Sequence, residues 1–267
     1  MPQEKWLVDG PQTIDIDSAV RRLKVSLVAG RVDIVGHDEP TTRVEVHSIA
    51  GKEIKVSLTD GVLEIDHPQL NWDNWLDVFK SFRGSARVDV SVLVPREVEL
   101  KFGVVSANAL VAGLNGDANV STVSGDVVVD GINGDLQINS VGGELSVQNH
   151  YGVVNAHSIS GDITVAGELM RFTGDTVSGD TYLDLDGIPD EVRVNSVSGS
   201  VTARLASGTP AQYRMNTVSG RLQLDDATVT GVHGSYTSKY GELSGRWVEV
   251  KANTVSGDIS VLHAVTA

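Results

Sequence analysis

Thr122-Val123-Ser124-Gly125-Asp126-Val127-Val128-Val129 is the stretch whose reading decides the fold, because it comes back. Close variants stand at Val141-Gly142-Gly143-Glu144, Ile159-Ser160-Gly161-Asp162, Val177-Ser178-Gly179-Asp180, Val197-Ser198-Gly199-Ser200, Val218-Ser219-Gly220-Arg221 and Val255-Ser256-Gly257-Asp258. Gly125, Gly143, Gly161 and Gly179 are 18 residues apart. The next steps are 20 and 21, and the last is 37, long enough for two turns with Gly241 as a degenerate midpoint. Gly116, Gly134 and Gly152 fall halfway between the first markers, so the basic unit is about nine residues and two units make one rung.

Apolar residues sit two before a marker glycine, two after it and four after it. Examples are Val123, Val127 and Val129; Ile132, Leu136 and Ile138; Val141, Leu145 and Val147; Ile159, Ile163 and Val165. This is period-two alternation broken by a turn, and it predicts short strands with those positions inward and Asp126 and Gln137 outward. Leu222 and Leu224, then Ile259 and Val261, keep the register to the end. A lone strand of this kind cannot bury its apolar face, whereas stacked copies can. The expected fold is all-β, a right-handed parallel β-solenoid (a β-helix or β-roll) over residues 111–267. The marker glycines are expected to supply turn conformations closed to other residues. Asn139-Ser140, Asn195-Ser196, Asn216-Thr217 and Asn253-Thr254 are expected to stack as a hydrogen-bonded ladder at one corner.

Residues 1–110 are β-rich but less regular. Alternation runs through Leu23–Leu27, Val44–Val46, Ile54–Leu58, Val62–Ile65 and Val88–Val94, with an Asp60-Gly61 turn between two of these. This part is expected to continue the solenoid and cap it, since an open strand edge invites association. Over residues 70–83, Trp72, Trp75, Leu76, Phe79 and Phe82 recur at helical spacing, so a short amphipathic helix is expected there. It either packs on the solenoid or forms a protein–protein surface, including a homo-oligomer contact. Its acidic polar face disfavours a membrane surface.

The net charge of −14, with no basic stripe, excludes nucleic acid as a partner. There is no cysteine and no run of about 18 apolar residues, so neither a disulfide nor a membrane span is expected. The polar first residues lack the apolar core of a signal peptide, which points to the cytoplasm, with envelope association through a partner as the alternative.

No catalytic constellation emerges. The seven histidines show no metal-ligand spacing; His150 replaces an apolar residue of the repeat and His157 replaces its asparagine, so structural roles are preferred. The repeated serines form equivalent positions, the opposite of a unique nucleophile. Asp117, Asp126, Asp135, Glu144, Asp162, Asp180 and Asp258 follow marker glycines. Stacked, they form a carboxylate column that could recruit a structural calcium, although the glycine-rich calcium-roll motif is absent and a solvated acidic edge is preferred. Tyr236, Tyr240 and Trp247 make the one aromatic cluster of the repeat region, read as a bulge or terminal cap before a ligand patch.

The phrases at 122–126, 140–144, 158–162, 176–180, 196–200, 217–221 and 254–258 resemble a bacterial β-strand-repeat family of unknown function, the DUF4097 type, whose members are called "putative adhesins". The resemblance spans roughly residues 20–265. It implies a β-solenoid or β-roll and supplies no catalytic residues. The leading functional expectation is a non-enzymatic scaffold or protein-interaction module, binding a protein partner or a second copy. An adhesin-like or envelope-associated carbohydrate binder comes next, and a carbohydrate-active enzyme last.

Overall fold

The computed structural model describes residues 4–67, 86–229 and 234–265. Every regular element among them is a β-strand. The helix expected over residues 70–83, with Trp72, Trp75, Leu76, Phe79 and Phe82, lies outside the described residues. The chain forms two compact units, Met1–Asn133 and Gly134–Ala267.

The first unit contains β1 (Glu4–Val8), β2 (Gln12–Ile16), β3 (Arg22–His37), β4 (Thr42–Ala50), β5 (Ile54–Thr59), β6 (Val62–Asp66), β7 (Arg87–Pro95), β8 (Glu99–Ala112), β9 (Ala118–Thr122) and β10 (Val127–Asp130). β3 and β8 run parallel along their length, with Leu23 opposite Leu100 and Val32 opposite Ala109. β9 and β10 extend β8 in parallel, one 18-residue step later: Ala118 lies opposite Leu100, and Val127 opposite Ala109. On its other side β3 meets β6 and β7, again in parallel. There the polarity reverses. Asp60 and Gly61, at φ 51° and 78°, close a two-residue turn that folds β5 antiparallel onto β6, as the Asp-Gly pair predicts. β4 lies antiparallel on β7, β1 on β5 and β2 on β4.

The second unit contains β11 (Leu136–Ser140), β12 (Leu145–Ser158), β13 (Ile163–Thr176), β14 (Thr181–Leu185), β15 (Glu191–Ser196), β16 (Val201–Leu205), β17 (Ala211–Thr217), β18 (Leu222–Leu224), β19 (Ala227–Val229), β20 (Gly234–Tyr240), β21 (Val248–Thr254) and β22 (Ile259–His263). Two parallel ladders run through it. In one, Leu136, Val154, Phe172, Val192, Val250 and Tyr213 succeed one another. In the other the succession is Leu145, Ile163, Thr181, Val201, Ile259 and Leu222. Each rung therefore carries two strands, as the halved period implies. The ladder residues are buried and form the core with their alternate neighbours.

Three expectations need correction. The 37 residues between Gly220 and Gly257 do not hold two further turns. β19 and β20 instead fold back antiparallel on β18 and β17, and Gly241 sits in the loop after β20. The chain then re-enters the stack. β21 inserts between β15 and β17, and β22 between β16 and β18, so the last strands in sequence are internal in space.

Second, the apolar residue two before a V-S-G glycine does not face inward. Ile159, Val177, Val197 and Val255 are each about half exposed, and Val218 is 61% exposed. The inward position belongs to the Ser or Thr one residue earlier, whose short side chain closes the turn. Third, the V-S-G glycines are required by space and not by φ, whereas the halfway markers Gly134 and Gly152 do take positive φ, 145° and 137°. A Cβ on Gly179 would lie 2.1 Å from the carbonyl oxygen of Gly161, and one on Gly199 would lie 2.0 Å from that of Gly179.

Two histidines are buried within the stacks. Burial pushes the His67 imidazole down to about 4 and lowers His150 below its ordinary 6.5. Both are neutral in the fold, while the unfolded chain takes up their protons below about 6.5. Stability is therefore full above that pH and falls as pH drops toward the folded values, with a slope of up to about 1.4 kcal/mol per pH unit per group. Thermal melts from about pH 7.5 down to about 4.5 should fall steeply for the intact protein and less steeply for His150→Leu. Parallel curves for the two would contradict this assignment.

Candidate functional site

The V-S-G corner is built from its smallest groups. Ser158 Oγ donates to the Gly161 carbonyl and accepts from the Gly161 N–H, at 2.7 and 3.0 Å. Ser140 and Thr122 make the same pair of bonds with Gly143 and Gly125. Each buried hydroxyl thus satisfies turn groups that would otherwise be orphaned. The following serine points outward and donates to the preceding rung, as Ser160 does to the Val141 carbonyl and Ser178 to that of Ile159.

The acidic column is also engaged in structure. Asp162 Oδ1 accepts from the Asp180 N–H at 2.8 Å, and Asp180 Oδ1 from the Ser200 N–H at 2.7 Å. Asp258 Oδ1 accepts from the Arg221 N–H. Each carboxylate caps the backbone of the next rung. Among the described residues no group of three or more His, Cys, Asp or Glu is arranged to hold a metal ion.

What the corner presents to solvent is an aliphatic ridge. Ile159, Val177, Val197, Val255 and Val218 occupy the same place in successive rungs, about 4.8 Å apart.

The ladder of β13, β15, β21 and β17 presents a different surface. Outward positions two residues apart form three columns. Arg171, Glu191, Glu249 and Gln212 make the first; Thr173, Arg193, Lys251 and Arg214 the second; Asp175, Asn195, Asn253 and Asn216 the third. Glu191 lies 2.8 Å from Arg193, 2.9 Å from Lys251 and 4.0 Å from Arg171. Glu249 lies 2.8 Å from Lys251 and 3.4 Å from Arg214. Hydrogen bonds from Arg193 and Lys251 hold the Glu191 carboxyl below its ordinary value, and those to Glu249 and Glu191 raise Lys251. The third column is an amide ladder. Asn195 donates to Asp175, Asn253 to Asn195 and Asn216 to Asn253. His157 stands next in this column and pairs through Nδ1 with Asp175 at 3.0 Å, which explains why it replaces an asparagine.

The aromatic cluster is divided. Tyr236 and Tyr240 lie on β20 opposite Met215 and Ala211, where β20 covers β17. Tyr240 stacks on the imidazole of His263, with ring centroids 3.9 Å apart. His263 in turn meets the Asp225 carboxylate through Nδ1 and the Thr209 carbonyl through Nε2. Trp247 precedes β21, on the opposite side of β17 from β20, and stands next to buried Val248. The strands therefore join two of the three residues and leave Trp247 apart.

The charged face is the feature that pattern reading missed. Its signal is the recurrence of Glu191-Val192-Arg193-Val194-Asn195-Ser196, Gln212-Tyr213-Arg214-Met215-Asn216-Thr217 and Glu249-Val250-Lys251-Ala252-Asn253-Thr254. These are the three strands that the stack makes neighbours.

The family model described as Toastrack DUF4097 matches residues 20–262. Among solved structures, a Parabacteroides distasonis protein described as a "putative lipid binding protein" is 15% identical, with 96% of this chain and 99% of that one covered and a TM-score of 0.55. A "putative adhesin" from Bacteroides fragilis is 13% identical over 96% of this chain and 98% of its own, with a TM-score of 0.42. The likeness to the Parabacteroides distasonis protein, at 15% identity, is one of fold alone. None of the curated proteins matches.

Proposed function

Because this chain belongs to the Toastrack DUF4097 family, we propose that it is a non-enzymatic interaction scaffold. In this reading the second unit is a right-handed β-solenoid, the hand that parallel crossovers prefer. It holds binding rows on a rigid lattice. The observation that carries the proposal is the ridge of Ile159, Val177, Val197, Val255 and Val218, apolar side chains left half exposed at a corner whose polar groups are already bonded.

The occupant that fits is a second copy of this chain. A straight row with a constant step is self-complementary, so two ridges can pack about a twofold axis. The apolar area is small against the roughly 800 Å² per partner of a stable complex. The association is therefore weak and concentration-dependent, opposed by the net charge of −14.

Light scattering over a concentration series tests this. The mass should rise toward a dimer for the intact protein and stay monomeric for a Val177→Asp/Val197→Asp/Val255→Asp variant with an unchanged circular dichroism spectrum. An intact protein that remains a monomer at the highest concentration would sink the self-association reading. An adhesin-like carbohydrate binder is the second reading, favoured by the charged face of β15, β21 and β17.

A further inference from the structure

We propose that this charged face binds a linear acidic polysaccharide, with uronate carboxylates on its arginines and sugar hydroxyls on its asparagines. The first ground is a local charge imbalance. The other Arg and Lys ion pairs among the described residues give each cation a carboxylate or two of its own, as with Arg22 and Glu99 or Arg204 and Asp184. Here Arg171, Arg193, Lys251 and Arg214 share Glu191 and Glu249, and the one further carboxylate of the face, Asp175, is bonded to His157 and Asn195 and reaches Arg193 only at longer range. The two carboxylates lie low, with side chains 22% and 20% exposed, while the three arginines are 44–54% exposed. The surface therefore presents guanidinium groups above their counter-ions. Each guanidinium carries five N–H donors, more than these contacts use, and its planar fork matches a carboxylate.

The second ground is spacing. Arg193 and Arg214 lie two strand spacings apart along the stack, about 9.6 Å, with Lys251 sunk between them and held by Glu191 and Glu249. A hexopyranose unit advances along an extended linear glycan by about half that distance and turns over at each step, so alternate uronates, which face the same side, meet the two arginines. The third ground is the parallel amide column of Asn195, Asn253 and Asn216, which offers hydroxyl partners that a phosphate polymer would not need. The remaining charge of the chain repels long polyanions, which favours a short segment held at this one face.

The ligand is bound and not transformed, and the surface is separate from the aliphatic ridge. Titration calorimetry on the full chain tests the proposal with tetragalacturonate, neutral maltotetraose and inorganic tripolyphosphate as probes. Tetragalacturonate should bind in a salt-sensitive manner and maltotetraose far more weakly. Arg193→Gln/Arg214→Gln should weaken tetragalacturonate by roughly tenfold or more. The single variant Arg171→Gln, at the edge of the patch, should weaken it less. Both variants are expected to melt within a few degrees of the intact protein, because the arginines are solvent-exposed. The triple Val→Asp ridge variant should bind as the intact chain does, so the two surfaces can fail separately. Absence of binding at millimolar tetragalacturonate, or undiminished binding by the double variant, would overturn the proposal. So would tripolyphosphate binding as tightly as the sugar, since the face would then read charge alone.

Discussion

A chain ending at Trp247 is expected to lose the folded second unit, not merely its last rung. Terminal strands of a stack usually fray at small cost, because each rung touches only its neighbours. Here β21 and β22 lie inside the stack, and without them β15 and β16 face β17 and β18 across an empty layer. Val248, Val250, Ile259 and Val261, all buried, would go. At about 1.5–3 kcal/mol each, their burial alone is comparable to the roughly 5–15 kcal/mol by which whole domains are stable. Two backbone ladders vanish as well. Limited chymotrypsin digestion and thermal melting of residues 1–247 should show residues 134–247 rapidly cut and without a cooperative transition of their own. A resistant fragment melting within a few degrees of the intact protein would mean that the stack closes without this rung.

Gly179→Ala is expected to destabilise by about 3 kcal/mol or more, the upper range of overpacking, although it adds a single methyl group. That carbon would sit 2.1 Å from the Gly161 carbonyl oxygen, which is backbone and held in the ladder. The two rungs must separate, and with them the Asp162 and Ser178 bonds that tie one rung to the next. Gly245→Ala is the matched control. Nothing lies within 4 Å of its added carbon and its φ is not in the left-handed region, so the change should stay within about 0.5 kcal/mol. Urea unfolding of the two variants decides the matter. Equal midpoints would show that the corner yields, and that the glycine column is there for some other reason.

Much of the architecture is legible because repetition amplifies weak signals. One Val-Ser-Gly-Asp is a turn; seven in phase set the period, the two strands per rung and the inward rows at Val127, Leu136 and Ile163. The parts that escape do so for identifiable reasons. Glycine is demanded both by left-handed φ and by close backbone approach, and the letter does not say which. Valine before Ser-Gly looks like core because it is apolar, yet the preceding Ser196 or Thr254 takes the inward place to satisfy the turn. Strand order is hidden because Thr254-Val255-Ser256-Gly257 would dock equally well against any rung. Only the 37-residue interval hinted at a detour. The charged face was spelled out in three copies of one six-residue phrase, but its meaning depends on knowing that those copies touch.

The corner bonds have a consequence for how such a gene changes. Asp162 caps the amide of the next rung, Asp180 does the same for Ser200, and Ser160 and Ser178 reach back in the same manner. The rungs that carry Ile159–Asp162 and Val177–Asp180 thus offer their neighbours the same fittings above and below. An in-frame tandem duplication of one rung there leaves no group unpaired and lengthens both ladders together, so lineages can drift in rung number without passing through a broken fold. A duplication between residues 206 and 247 has no such neutrality, because it alters the path by which the chain turns back to its own interior.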